Sequence, residues 1–128
     1  MRTPQLVVTV LVLTLMAMPA LAAPPADPAA YTVRTGDAAA PLVRFAARET
    51  ARYAYLRTGA LPVESGAEVV IVVAAKGDGT LPASIAQTAA NLGDQDYLLR
   101  SVGGAHYVVG GSPEATLYAA YRVAHYLG

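Results

Sequence analysis

Apolar residues follow three different rhythms along this chain, and each predicts a different element. The first is a nearly unbroken apolar run from Leu6 to Met18, preceded by Arg2 and followed by the small-x-small triplet Ala20-Leu21-Ala22. A basic start, a short apolar stretch and a small-residue cleavage site are the parts of a secretory signal peptide. Residues 1–22 are therefore read as a signal cleaved after Ala22. The run is short for a bilayer span, and Pro19, Pro24, Pro25 and Pro28 follow it. Arg2 has no arginine neighbour, which argues against the twin-arginine route, and a chain without cysteine has no lipoprotein attachment site. The expected location is secreted or periplasmic, with no membrane association after cleavage. Residues 23–30, rich in Ala and Pro, are expected to be an extended linker.

The second rhythm is helical. From about Ala40 to Thr58, Leu42, Phe45, Ala46, Tyr53 and Leu56 recur at helical spacing, with Arg44, Arg48 and Arg52 on another face. Pro41 suits the first turn and Gly59 the stop. A shorter helix is expected from about Pro82 to Asn91, ended by Gly93. A last one is expected from Pro113 to Leu127. The third rhythm is that of strands. Tyr31 to Thr35 alternates. Glu68 to Ala75, EVVIVVAA, is a continuous β-branched run of the kind buried on both faces or set at the centre of a sheet covered by helices. Tyr97 to Val102 and Ala105 to Gly110 flank Gly103-Gly104, a two-residue hairpin signal.

The resulting order, β-α-β-α-β-β-α, predicts an α/β two-layer sandwich. Its sheet should be mixed and carry a C-terminal hairpin, with the helices packed mainly on one face. Residues 31–128 form one expected domain. Cleavage after Ala22 leaves 106 residues, enough for one core and little enclosed space. Without Arg2 there are eight basic residues against nine acidic ones. That balance does not suit nucleic acid or an anionic membrane. With no cysteine, disulfides, thiolate metal sites and a cysteine nucleophile are excluded.

Candidate chemistry is sparse. Gly110-Gly111-Ser112-Pro113 joins a strand to a helix, where phosphate sites often form. It lacks both GxxxxGKS/T and GxGxxG, and Glu114 in the first helical turn would repel an anion. Ser112 as N-cap and Pro113 as first helical residue account for it. His106 and His125 have no metal-ligand spacing around them. A triad from Ser112, a histidine and an aspartate would define a small hydrolase, but no GxSxG elbow supports it. Asp94 and Asp96 are read as turn punctuation. Arg44, Arg48, Arg52 and Arg57 are read as a solvated helix face. Neither a catalytic residue nor a cofactor or metal ligand is assigned.

The last helix carries more information. Glu114, Tyr118, Arg122 and His125 make a narrow polar stripe. Leu117, Ala120, Tyr121, Ala124 and Leu127 form one apolar face, and Ala119, Val123 and Tyr126 another. A helix apolar over so much of its circumference needs cover on two sides. Ala119, Val123 and Tyr126 are therefore the candidate interface with a partner domain.

Four stretches in this order resemble a known family: FAARETARYAYLRTGALP (Phe45 to Pro62), EVVIVVAA, DYLLRSVGGAHYVVGG (Asp96 to Gly111) and SPEATLYAAYRVAHYLG (Ser112 to Gly128). Together they are similar to the N-terminal α/β domain that precedes the catalytic barrel in α-glucuronidases and β-hexosaminidases, the chitobiase/β-hexosaminidase domain 2-like type. Ala115 departs from it, standing where the family often has a glycine used for packing. The resemblance implies a non-catalytic domain of a glycoside hydrolase acting in xylan- or chitin-type polysaccharide breakdown. Its acid/base carboxylates would lie in a downstream barrel, the implied partner, and its strand ends could lend a loop to the sugar site. A rival from another class is a stand-alone carbohydrate-binding or protein-interaction module. Such a module would use Tyr53, Tyr55, Tyr97, Tyr107, Tyr118, Tyr121 and Tyr126 as a stacking platform, in a chain with no tryptophan.

Overall fold

A computed structural model of the chain describes residues 29–127. The expected signal peptide and most of the expected linker lie outside the described residues, as does Gly128. The elements run β1 (Tyr31–Arg34), α1 (Pro41–Thr58), β2 (Val69–Ala75), α2 (Ala83–Ala89), β3 (Tyr97–Val102), β4 (Ala105–Gly110) and α3 (Pro113–Leu127). The β-α-β-α-β-β-α order is the one the rhythms predict.

Local chemistry sets the boundaries. α1 opens on Pro41, whose missing N–H needs no partner there. It closes on Gly59, left-handed at φ 74, whose N–H donates to the Tyr55 carbonyl at 2.7 Å. The β3–β4 turn uses Gly103 and Gly104 at φ 57 and 82. Two consecutive positive φ values match the right-handed twist of a hairpin, and glycine reaches them without strain.

The four strands form one mixed sheet in the order β1-β2-β4-β3. β1 and β4 both run parallel to β2, with Val33 opposite Ile71 and Val73 opposite Val108. β3 is antiparallel to β4 and forms an edge. Side chains alternate between faces, so the register sorts the core into two clusters. On one face Val73 and Val108 pack with Val43 and Ala46 of α1 and with Ala119 and Ala120 of α3. On the other, Ala74 and Val109 pack with Leu81 and with Ile85 and Ala89 of α2. The two long helices thus share a face, and the seven-residue α2 adds a partial third layer opposite them.

Two expectations about faces change. The buried line of α1 is Val43, Ala46, Thr50 and Ala54. Phe45 and Leu56, read from spacing as apolar-face residues, are 38% and 63% exposed. Small residues win this seam because α1 lies close against α3, and Ala46, Ala119 and Ala120 let the two backbones approach. Thr50 fits there because its hydroxyl donates back to the Ala46 carbonyl at 2.9 Å. Burial of β2 is also uneven. Val73 and Ala74 are buried, whereas Val69 to Val72 are only half-buried. The cover expected along the whole run reaches only its C-terminal half.

Candidate functional site

The uneven cover leaves the sheet open at both ends, and the two openings differ in character. At the C-terminal ends of β1 and β2 lies a crevice of about 440 Å³, lined by residues 36–40, Val43 and residues 75–80. It follows from the topology. The loop after β1 leads to α1 on one face of the sheet, and the loop after β2 leads to α2 on the other. Neighbouring parallel strands whose connections diverge leave a gap beyond their carboxyl ends, the usual place for ligands in open α/β sheets.

The crevice sets charged side chains among alanines and glycines, and it is braced. Asp78 Oδ1 accepts from both the Thr80 N–H (2.9 Å) and the Thr80 hydroxyl (2.6 Å). The same carboxylate lies over Gly36, where an added Cβ would come within 2.5 Å of Oδ2. Gly36 thus lets the two loops close on each other. Lys76 also lines the crevice, and its ammonium donates to the Leu92 carbonyl at 2.7 Å, which anchors the side chain. Arg44 clamps the β1–α1 loop, donating to the carbonyls of Asp37 (2.7 Å) and Ala39 (3.2 Å).

At the opposite end of β2 is an apolar groove of about 480 Å³. Val69 and Ile71 of β2, Leu99 of β3 and Val108 of β4 form its floor, and Val123 and Tyr126 of α3 form its rim. His106 and Ser101 also line it, paired across the hairpin with Ser101 Oγ 2.6 Å from His106 Nδ1. The two-residue Gly103-Gly104 turn sets residues 101 and 106 opposite each other, and the structure adds the short contact between their side chains. It is a cross-strand hydrogen bond at the surface; among the described residues no carboxylate bonds to the imidazole, so these residues do not form a triad.

The expected interface residues separate here. Ala119 is fully buried in the domain's own core and offers a partner no surface. Its neighbours Ala115, Thr116 and Ala120 are equally enclosed, so the inward face of α3 is a 115/116/119/120 line. Val123 is half-buried on the groove rim, and Tyr126 is 68% exposed. The two remaining interface candidates therefore meet a floor supplied by the sheet.

Other sequence candidates have structural roles. Ser112 Oγ donates to the Asp94 carbonyl at 2.6 Å and accepts from the Ala115 N–H at 3.1 Å, so its hydroxyl is occupied as an N-cap. Asp96 Oδ2 accepts from the Gly93 N–H at 2.9 Å. Gly110 and Gly111 are close approaches of backbone to backbone. A Cβ on Gly110 would land on the amide of Thr116, and one on Gly111 on the carbonyl of Gly93. The glycine turn is filled by protein, with no cradle for phosphate. Arg48 and Arg52 lie over the rings of Phe45 and Tyr53 at 5.7 and 5.3 Å.

The tyrosines do not assemble into a platform. Tyr53 and Tyr121 meet edge to face at 6.3 Å, and the others are spread over α1, β3, β4 and α3. The Tyr121 phenol is pushed above the usual tyrosine value, first by desolvation and then by the nearby Glu49 carboxylate. Among the described residues, no group of three or more His, Cys, Asp or Glu converges to hold a metal ion. No helix among them is long and apolar enough to cross a membrane.

These features define an α/β domain with a charge-lined crevice at one end of its sheet and an apolar groove at the other. No family model, curated protein or solved structure matches the chain.

Proposed function

We propose that this chain is an exported, non-catalytic accessory domain of a glycoside hydrolase, of the α-glucuronidase and β-hexosaminidase N-terminal type. It would pack against a catalytic barrel. The observation that carries this reading is the groove over the N-terminal half of β2. Val69, Ile71 and Leu99 are only half-buried, and with the buried Val108 they form an apolar floor that α1 and α3 cover incompletely. Open apolar area of this kind is normally a contact surface. The chain's two described ends also meet there. The Ala30 carbonyl accepts from the Glu68 and Val69 N–H groups beside the floor, and Tyr126 stands on the rim. A domain joined to the C-terminal end of α3 would start next to the groove it covers.

The test has two parts. The purified chain, assayed on aryl glycosides of glucuronic acid and N-acetylglucosamine, is expected to show no turnover above buffer. Turnover that survives rigorous purification would refute a non-catalytic role. Supplied with a glycosidase barrel of the resembled type, the chain should bind it, and Ile71→Asp should abolish binding. Equal binding by Ile71→Asp would remove the groove from the interface.

A further inference from the structure

The crevice at the other end of the sheet has a chemistry of its own. Its charged lining residues are two carboxylates, Asp37 and Asp78, and one ammonium, Lys76. Two of the three are positioned in advance. Asp78 is fixed through Oδ1 by Thr80, and no donor among the described residues bonds to its Oδ2. Lys76 is tethered through one N–H to Leu92 and retains two more donors. The Asp37 carboxylate accepts no bond among the described residues, and Arg44 holds its backbone. Groups held in place before a ligand arrives lose little freedom on binding it.

This combination excludes several ligand classes. An anion would meet two carboxylates and one ammonium. A divalent cation would meet that ammonium and only two carboxylates, fewer oxygens than it requires. An apolar ligand would strip water from three charges. Adjacent hydroxyls fit, since each donates to a carboxylate and accepts from an ammonium. The volume of about 440 Å³ is within the range of small-molecule clefts. We propose that the crevice formed by residues 36–40 and 75–80 binds a neutral polyhydroxylated small molecule of monosaccharide size. Vicinal hydroxyls donate to Asp78 and Asp37, and Lys76 donates to one of their oxygens. No aromatic side chain lines the crevice, so no ring stacks on the ligand. Binding is therefore weak, roughly millimolar, and does not retain the chain on a polymer. The proposal rests on the crevice alone and stands whether or not a barrel occupies the groove.

The experiment is an amide NMR titration of the chain with xylose, glucose and myo-inositol. Shifts are expected at Gly36 to Ala40 and Lys76 to Thr80, saturating with a roughly millimolar constant. Asp78→Asn keeps an acceptor for Thr80 and should weaken binding about tenfold, as should Lys76→Met, since each removes one charged hydrogen bond. Tyr126→Ala, at the far end of the sheet, should leave the constant unchanged. A dispersed spectrum for each variant shows that it has folded. The proposal is overturned if the crevice amides fail to move at concentrations that would saturate a millimolar site. It is also overturned if they respond to inorganic phosphate or calcium chloride but not to the polyols, or if both crevice variants bind as tightly as the parent chain.

Discussion

Gly111→Ala tests whether the Gly-Gly turn before α3 is a packing device. The backbone at Gly111 is not in the left-handed region, so alanine meets no dihedral penalty there. The penalty is spatial. The new methyl would coincide with the Gly93 carbonyl oxygen and sit 3.2 Å from Leu92 Cβ. Restoring ordinary contact requires the Gly93 carbonyl to retreat by over about 1 Å. That carbonyl accepts from the Asp96 N–H at 3.0 Å, and the Asp96 carbonyl accepts from the Gly111 N–H at 2.8 Å. Both bonds lie in the path of the movement. Two backbone hydrogen bonds at about 1 kcal/mol each, plus overpacking of about 1–3 kcal/mol, give an expected loss of roughly 3–5 kcal/mol. In a domain of this size the melting temperature should fall by roughly 12–20 °C. Urea unfolding monitored by tyrosine fluorescence reads the change directly, and an unchanged slope would confirm that the same surface unfolds. Gly79→Ala is the control, since nothing lies within 4 Å of a Cβ there. A Gly111→Ala protein within about 0.5 kcal/mol of the parent would refute the close approach. A phosphate loop predicts the opposite outcome: lost anion binding with stability intact.

Four further substitutions probe other parts of the fold. Ile85→Ala removes the largest buried side chain of α2 and should cost about 2–5 kcal/mol in chemical denaturation, because it empties the centre of the second face. Ser112→Ala removes the α3 cap and the bond to Asp94, and should cost about 1–2 kcal/mol by the same assay. Thr116→Val removes the hydroxyl that donates in the core to the Ala74 and Ser112 carbonyls at 3.2 and 2.8 Å, and should cost about 1 kcal/mol. Tyr31 is buried, and burial raises its phenol above the usual 10.0. A raised folded pKa means that its stabilising contribution is complete below pH 10.0 and is lost as pH rises through the folded value. Melting in the alkaline range should therefore steepen with pH in the parent, and less so in Tyr31→Phe.

Much of the architecture is legible because its signals are local. The β3 and β4 boundaries and the start of α3 follow from Gly103-Gly104 and Ser112-Pro113, whose backbone requirements hold in any fold. The placement of β4 between β2 and β3 is a pairing over long sequence separation, and no local signal carries it. The side of the sheet that α2 takes is equally non-local, since its seven residues are nearly all small. Periodicity on α1 favours the bulky residues Phe45 and Leu56, yet the seam with α3 selects Val43, Ala46, Thr50 and Ala54. A hydrophobic stripe locates a helix face by size, whereas close helix packing selects for small side chains. That difference also explains Ala119. On α3 it is read as one face with Val123 and Tyr126, and the structure buries Ala119 alone of the three in the core with α1 and the sheet. The incompletely covered apolar area lies one layer further in, on β2, where an unbroken β-branched run gives no hint of which half stays open.

The crevice and the groove occupy opposite ends of one strand, and this bears on how the domain operates. Along β2, Ile71 in the groove floor and Ala75 in the crevice lining lie about 13 Å apart. Between them lies the buried part of the core, Val73 and Ala74 with their partners on both faces. Substitutions separated by more than about 10 Å with no shared partners usually add independently. A change in the groove, such as Ile71→Asp, should therefore leave the crevice loops and their ligand affinity as they were. A partner seated in the groove likewise leaves the crevice end of the sheet open, because α1, α3 and the strands between them separate the two surfaces. Coupling between the ends would require β2 or α3 to have two discrete arrangements. A tightly packed small-residue seam argues against that for α3. The double variant Ile71→Asp/Asp78→Asn, measured by polyol titration and by urea unfolding, should show effects that sum from the two single variants. A departure of more than about 0.5 kcal/mol from that sum would show that the two ends communicate.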